Sequence, residues 1–147
     1  MKQHISNSPQ QTKNLAHKIA KKFETGEIIA LSGDLGSGKT QFTKGLAEYY
    51  KIKNPITSPT FVVMKIYNIK NNKIINKLVH VDAYRLENSD EALAIGLEEY
   101  LTNKNCLVVI EWAEKIKDIL PKKTIWVKFN YGEKENQRII KTKKNLK

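Results

Sequence analysis

Gly33, four further residues, then Gly38, Lys39 and Thr40 stand in the spacing G-x-x-x-x-G-K-[ST], inside the stretch LSGDLGSGKTQFTKG (31–45). That spacing is the signature of a loop that cradles phosphates. In Gly33-Asp34-Leu35-Gly36-Ser37-Gly38 the glycines bare consecutive backbone N–H groups, which can converge on the β- and γ-phosphates of a nucleotide. Lys39 supplies a mobile point charge for the phosphate oxygens, and Thr40 a hydroxyl ligand for Mg²⁺. A helix starting near Lys39 adds the positive end of its dipole.

A nucleotide hydrolase also needs acids at the ends of neighbouring buried strands. LVHVD places Asp82 after a mostly apolar run, and LVVIE places Glu111 after a fully apolar one. Both would emerge at strand C-terminal ends, where open α/β sheets bind ligands. Glu111 is expected on the metal side, because its strand is the more continuously apolar and so the more central. Asp82 is expected to orient or deprotonate the attacking water. Both remain candidate Mg²⁺ ligands, one directly and one through water. Trp112 follows Glu111 and can wall the nucleotide or sit in the core. In TSPTF (57–61), Thr57 or Thr60 can reach Mg²⁺ or the γ-phosphate, or simply close a proline turn. His80 is expected to be structural. The guanine-reading pattern Asn-Lys-x-Asp has no full match: Asn103-Lys104-Asn105-Cys106 lacks the acid, which favours ATP over GTP.

These residues need elements to hold them. SPQQTKNLAHKIAKKF predicts a helix with Ser8 as N-cap, Pro9 at the first position and Gln11 closing a capping box, ended by Gly26. EIIALSG predicts a strand entering the glycine loop, and Lys39 to about Tyr50 a helix with Phe42, Leu46, Ala47 and Tyr50 on one face. FVVMKIYNI and KIINKLVHVD predict a hairpin around Lys70-Asn71-Asn72. Asn88 caps a helix running to about Leu101. CLVVIEW predicts a buried strand, Ala113 to Leu120 a short helix stopped by Pro121, and TIWVKFNYG with QRIIKTK two closing strands. The expected fold is α/β of the P-loop NTPase kind: a mostly parallel central sheet with antiparallel hairpin additions and helices on both faces. No repeat or linker interrupts residues 1–147, which predicts a single domain with a frayed basic tail at about 141–147.

The composition agrees with that class. The chain has 147 residues, 40% hydrophobic and 28% charged, with a formal net charge of +11. No apolar run approaches the ~18 residues of a membrane span, and the N-terminus lacks a secretory apolar segment. The lone cysteine, Cys106, lies in an apolar run and suits a reducing cytoplasm. Arginine occurs only at Arg85 and Arg138; the lysines are spread along the chain beside abundant Asn and Ile. This favours a solvated basic surface shaped by an AT-rich genome, with an RNA or acidic-partner role as the second reading.

GDLGSGKT (33–40), TSPTF (57–61), HVDAYRL (80–86), the Gly96-Leu97 step in AIGLEEYL and IEW (110–112) follow in one order and at similar spacing. Together they resemble the TsaE (YjeE) family, small bacterial P-loop ATPases of tRNA threonylcarbamoyladenosine synthesis. The likeness runs from about residue 8 to Arg138. It implies ATP with Mg²⁺ as cofactors, weak ATPase activity alone, and partnership with the TsaB–TsaD pair, whose threonylcarbamoyl transfer the ATP cycle resets. tRNA is then reached indirectly, through that complex. The resemblance also implies that Thr12, in the first turn of the opening helix, lies close to the nucleotide, and that Arg138 lies by the base. Two other readings stay open: a small-molecule kinase, for which two arginines are thin provision, and a nucleotide-gated binding module without turnover.

Overall fold

The computed structural model describes residues 1–58 and 62–143. Seven strands form one sheet: β1 (Lys2–Ser6), β2 (Ile28–Ser32), β3 (Met64–Asn68), β4 (Lys77–Asp82), β5 (Cys106–Glu111), β6 (Ile125–Tyr131) and β7 (Arg138–Thr142). Their spatial order is β1-β7-β6-β2-β5-β4-β3. The inner four, β6-β2-β5-β4, run parallel. β3 joins one edge antiparallel to β4, and β7 and β1 join the other edge antiparallel. This is the expected P-loop NTPase-like α/β fold, with hairpin strands β3 and β7 as the antiparallel additions.

β2 and β5 lie in the middle, and their sequences say why. IIALS and CLVVIE carry apolar residues on both faces, as a strand covered on both sides requires. Ile29, Leu31, Leu107 and Val109 pack against α1 (Pro9–Ala20) and α2 (Lys39–Tyr49) through Leu15, Ile19, Phe42 and Leu46. The alternate residues Ile28, Ala30, Val108 and Ile110 face α3 (Ser89–Ala94) and α4 (Leu97–Leu101) through Ala92, Leu97 and Leu101. Helices therefore cover both faces.

Several local expectations are corrected. The polar N-terminus forms β1, paired with β7 from Lys2↔Thr142 to Ser6↔Arg138. Ser8 caps α1 through the Gln11 amide, but Gln11 Oε1 reaches back to the Asn7 N–H, one residue before the cap. Gly26 does not end α1, which stops at Ala20; its amide bonds the Lys104 carbonyl at 2.6 Å. The helix expected from Asn88 to Leu101 is broken by Gly96, whose φ of 86° turns the chain between α3 and α4. Ala113–Ile119 is 3₁₀ rather than α, with a kink at Ile116. Lys141 and Thr142 belong to β7, and Lys143 donates to the Thr124 carbonyl at 3.1 Å, so the tail expected to fray at 141 is ordered strand there.

Candidate nucleotide and metal site

The loop between β2 and α2 sits at the carboxyl end of the parallel strands, as the strand–glycine loop–helix order demands. Gly33 has φ 143° and a side chain there would meet the Phe129 carbonyl oxygen at 2.6 Å and Ser37 Oγ at 2.9 Å, so only glycine fits. The N-cap of α2 is Gly38, at φ 106°, which contributes no side-chain bond to the first turn. That turn's amides and the dipole are thereby left to an outside anion. The buried Ser37 Oγ also has no partner among the described residues.

A cavity of about 440 Å³ opens over this loop. The loop from Leu35 to Thr40 lines one side, and Asp82, Glu111 and Trp112 line the other. Lys39 donates to the carbonyls of Gly33 at 2.5 Å and Asp34 at 2.9 Å, and its ammonium lies 4.3 Å from the Trp112 ring centroid. Burial pushes the Lys39 ammonium below the ordinary lysine range, opposed by Glu111, Glu114, Asp82 and Asp34. Gly33 and Asp34 thus act through Lys39 rather than by lining the cavity. A bound phosphate would compete with those two carbonyls for the same ammonium.

β4 and β5 are in register Asp82↔Glu111, which sets the two strand-end carboxylates side by side. Glu111 is nearly buried. Thr40 Oγ1 donates to it at 3.1 and 3.2 Å, and His80 Nε2 lies 2.9 Å from its Oε1. His80 is structural in that it is fully buried, and it also fixes Glu111. Asp82 is half-exposed: its Oδ2 accepts from Ser58 at 2.5 Å and its Oδ1 from the Tyr84 amide at 3.0 Å.

Trp112 holds φ 56°, a left-handed conformation that costs a non-glycine residue about 1–3 kcal/mol and is common at functional sites. That turn swings its ring to the cavity, 5.0 Å from the Tyr84 ring centroid and under Lys39. Arg138 stands outside the cavity. It bonds the Gly36 carbonyl at 3.2 Å and lies over the Tyr131 ring, whose hydroxyl bonds the Leu35 carbonyl. It braces the loop from behind. Thr12 is not brought to the cavity: it is buried between α1 and β1, with its hydroxyl 2.8 Å from Ser6 Oγ. Thr57 is exposed and accepts from Lys65, whereas Thr60 lies outside the described residues.

Ser58 and Tyr84 line the cavity and bond Asp82, one through its hydroxyl and one through its amide, and sequence reasoning missed both. Ser58 had a signal, a third hydroxyl in TSPTF beside the two considered. Tyr84 had one in HVDAYRL, two residues after Asp82.

Thr40 and Glu111 make a fit for Mg²⁺. They give one hydroxyl and one carboxylate at the end of the phosphate loop, a sparse all-oxygen set that leaves positions for phosphate oxygens and water. Among the described residues no group of three or more His, Cys, Asp or Glu could hold an ion by protein ligands alone.

A glycine loop feeding an uncapped helix start, beside paired acids on parallel strands, defines a protein of the P-loop NTPase-like class. The crystal structure of Bacillus subtilis YdiB has the same fold, with a TM-score of 0.75 and 30% sequence identity, covering 96% of this chain and 83% of that one. Residues 6–140 match the family described as threonylcarbamoyl adenosine biosynthesis protein TsaE. The tRNA threonylcarbamoyladenosine biosynthesis protein TsaE of Bacillus subtilis is 40% identical over 121 residues, 82% of this chain and 72% of that protein. The protein of the same description from Rickettsia typhi is 37% identical over 142 residues, 96% of this chain and 94% of that protein. The chain belongs to the TsaE family.

Proposed function

We propose that this protein binds Mg-ATP in the Leu35–Trp112 cavity, hydrolyses it slowly, and acts with the TsaB–TsaD pair in forming threonylcarbamoyladenosine in tRNA. Its ATP cycle resets that complex between turnovers, and tRNA is met through the complex. The observation that carries the reading is the convergence of Thr40 and His80 on Glu111, beside an uncapped helix start. The whole of residues 1–147 is taken as one ATPase domain working in the cytoplasm; among the described residues no helix is long and apolar enough to cross a membrane.

In this reading the amides from Leu35 to Thr40 and the Lys39 ammonium hold the β- and γ-phosphates, with the Gly33 and Asp34 carbonyls positioning Lys39. Thr40 and Glu111 would hold Mg²⁺, with Asp82 within reach of it through water, and the ion would supply positive charge against the phosphate oxygens. Ser58 and the Tyr84 amide fix Asp82, leaving its carboxylate to take a proton from the attacking water. The water oxygen bonds the γ-phosphorus as the bridging oxygen departs with ADP. Trp112 flanks the nucleotide, and Arg138 steadies the loop near the base. Arg85 is the one arginine lining the cavity among the described residues. An arginine placed on the transferring phosphate is worth ~10³–10⁵ in rate, so docking of the partner is expected to complete the site. The scarcity of arginine also disfavours a small-molecule kinase, which must clamp an acceptor.

Glu111→Gln tests the assignment. The variant should bind ATP within a few-fold of wild type and lose hydrolysis by about 10²-fold or more, measured as phosphate release with and without TsaB–TsaD. Wild-type turnover in the variant would remove Glu111 from the chemistry, and no ATP-dependent complex with TsaB–TsaD would remove the pathway.

A further inference from the structure

A second cavity, of about 590 Å³, opens at the other end of the sheet. Lys2 and His4 of β1, Lys18 of α1, Lys21 and Lys22 just beyond α1, and Lys143 just beyond β7 line it. Leu15 and Ile19 also line it, and among the described residues no acid does. The register separates it from the nucleotide cavity. β1 runs from Lys2, opposite Thr142, to Ser6, opposite Arg138, and it is Arg138 that touches the phosphate loop. The basic cavity therefore lies at the far end of β1 and β7.

Helix stability accounts for only part of this cluster. A cation in the last turn complements the helix dipole, which explains Lys18. It does not explain why two other segments bring Lys2, His4 and Lys143 to line the same cavity, where the Lys143 ammonium also donates to the Thr124 carbonyl. His4 registers the resulting field: burial, then Lys2, Lys18 and Lys22, hold its imidazole below the ordinary range.

We propose that this cavity docks the phosphate backbone of RNA, directly and independently of the nucleotide cavity. Two features select that occupant. The cations come from separate segments of the chain and surround a cavity, as an extended polyanion needs. Every permanent cation lining it is lysine, a point charge suited to phosphate contact and lacking the arginine fork. The choice of RNA over DNA rests on the function proposed above; the charge argument does not. The contact would be made by this chain itself, in addition to any reached through TsaB–TsaD.

The test is fluorescence anisotropy of a labelled tRNA transcript against the full chain over a salt series. The variants are Lys2→Ala/Lys18→Ala/Lys22→Ala and a control of equal charge loss, Lys70→Ala/Lys73→Ala/Lys117→Ala, both checked for fold by circular dichroism. The cavity triple variant should bind at least 10-fold more weakly at low salt, and its log–log salt slope should be shallower by about 2–3, near one unit per lost phosphate contact. The control should match wild type. By NMR the His4 pKa should rise when tRNA is added to wild type and stay unmoved in the cavity variant. Equal losses in both variants, an unchanged cavity variant, or equal competition by inorganic tripolyphosphate would overturn the proposal. So would binding to anionic vesicles without binding to tRNA. Mg-ATP titration of the same variants separates the two sites: wild-type ATP affinity with no tRNA binding defeats this inference and leaves the proposed ATPase standing.

Discussion

Thr40 and His80 reach Glu111 from a helix and a strand that are 40 residues apart in sequence. Their shared acceptor is a carboxylate buried at the edge of the cavity, so each partner replaces water that the carboxylate has lost. Leaving a buried acceptor without one of its donors costs about 1–3 kcal/mol. His80→Leu should therefore unfold at lower denaturant, by about 2 kcal/mol, in a chemical titration followed by circular dichroism. A loss below about 1 kcal/mol would mean that the pair contributes little. Lys39, Thr40, Asp82 and Glu111 were legible because each follows a local pattern: loop spacing, or an acid ending an apolar run. Ser58 was not. Its meeting with Asp82 depends on the path of a proline-bounded loop, and no periodicity records that path.

Helix α2 and strands β2, β4 and β5 were readable from apolar pattern, and they carry the site. What escaped was set by non-local pairing or single residues. KQHIS has no continuous apolar run, and it becomes a strand only because β7, more than 130 residues later, offers an edge. The α3–α4 break depends on Gly96 alone, inside an otherwise helical stretch. A methyl group there meets nothing within 4 Å, so Gly96→Ala should cost only the backbone strain of positive φ, about 1 kcal/mol. Thermal unfolding reads this as a Tm drop of a few degrees; an unchanged Tm would show that the turn tolerates alanine. At the end of α2, burial and then Tyr49 push the Tyr50 hydroxyl up to about 12. The unfolded chain releases this proton from pH 10, while the folded chain holds it until about 12. Stability contributed by Tyr50 is therefore full below pH 10 and falls as pH rises through that window. Tyr50→Phe should flatten the alkaline limb of a pH–stability curve, and an identical limb would contradict the assignment.

For the molecule as a whole, the sheet separates two charged cavities. One end joins a phosphate loop to two acids, and the other gathers lysines with no acid among the described residues that line it. The net charge of +11 was legible in the sequence, but its local concentration was not, because Lys2, Lys18 and Lys143 meet only after β1 and β7 pair. Both ends depend on the same strand order, and the candidate nucleotide site lies at the loop end. Isothermal titration of the folded chain with Mg-ATP tests that end most directly. One site per chain is expected, weakened at least 10-fold in Lys39→Ala at unchanged fold. No heat of binding in wild type, or equal affinity in the variant, would contradict it.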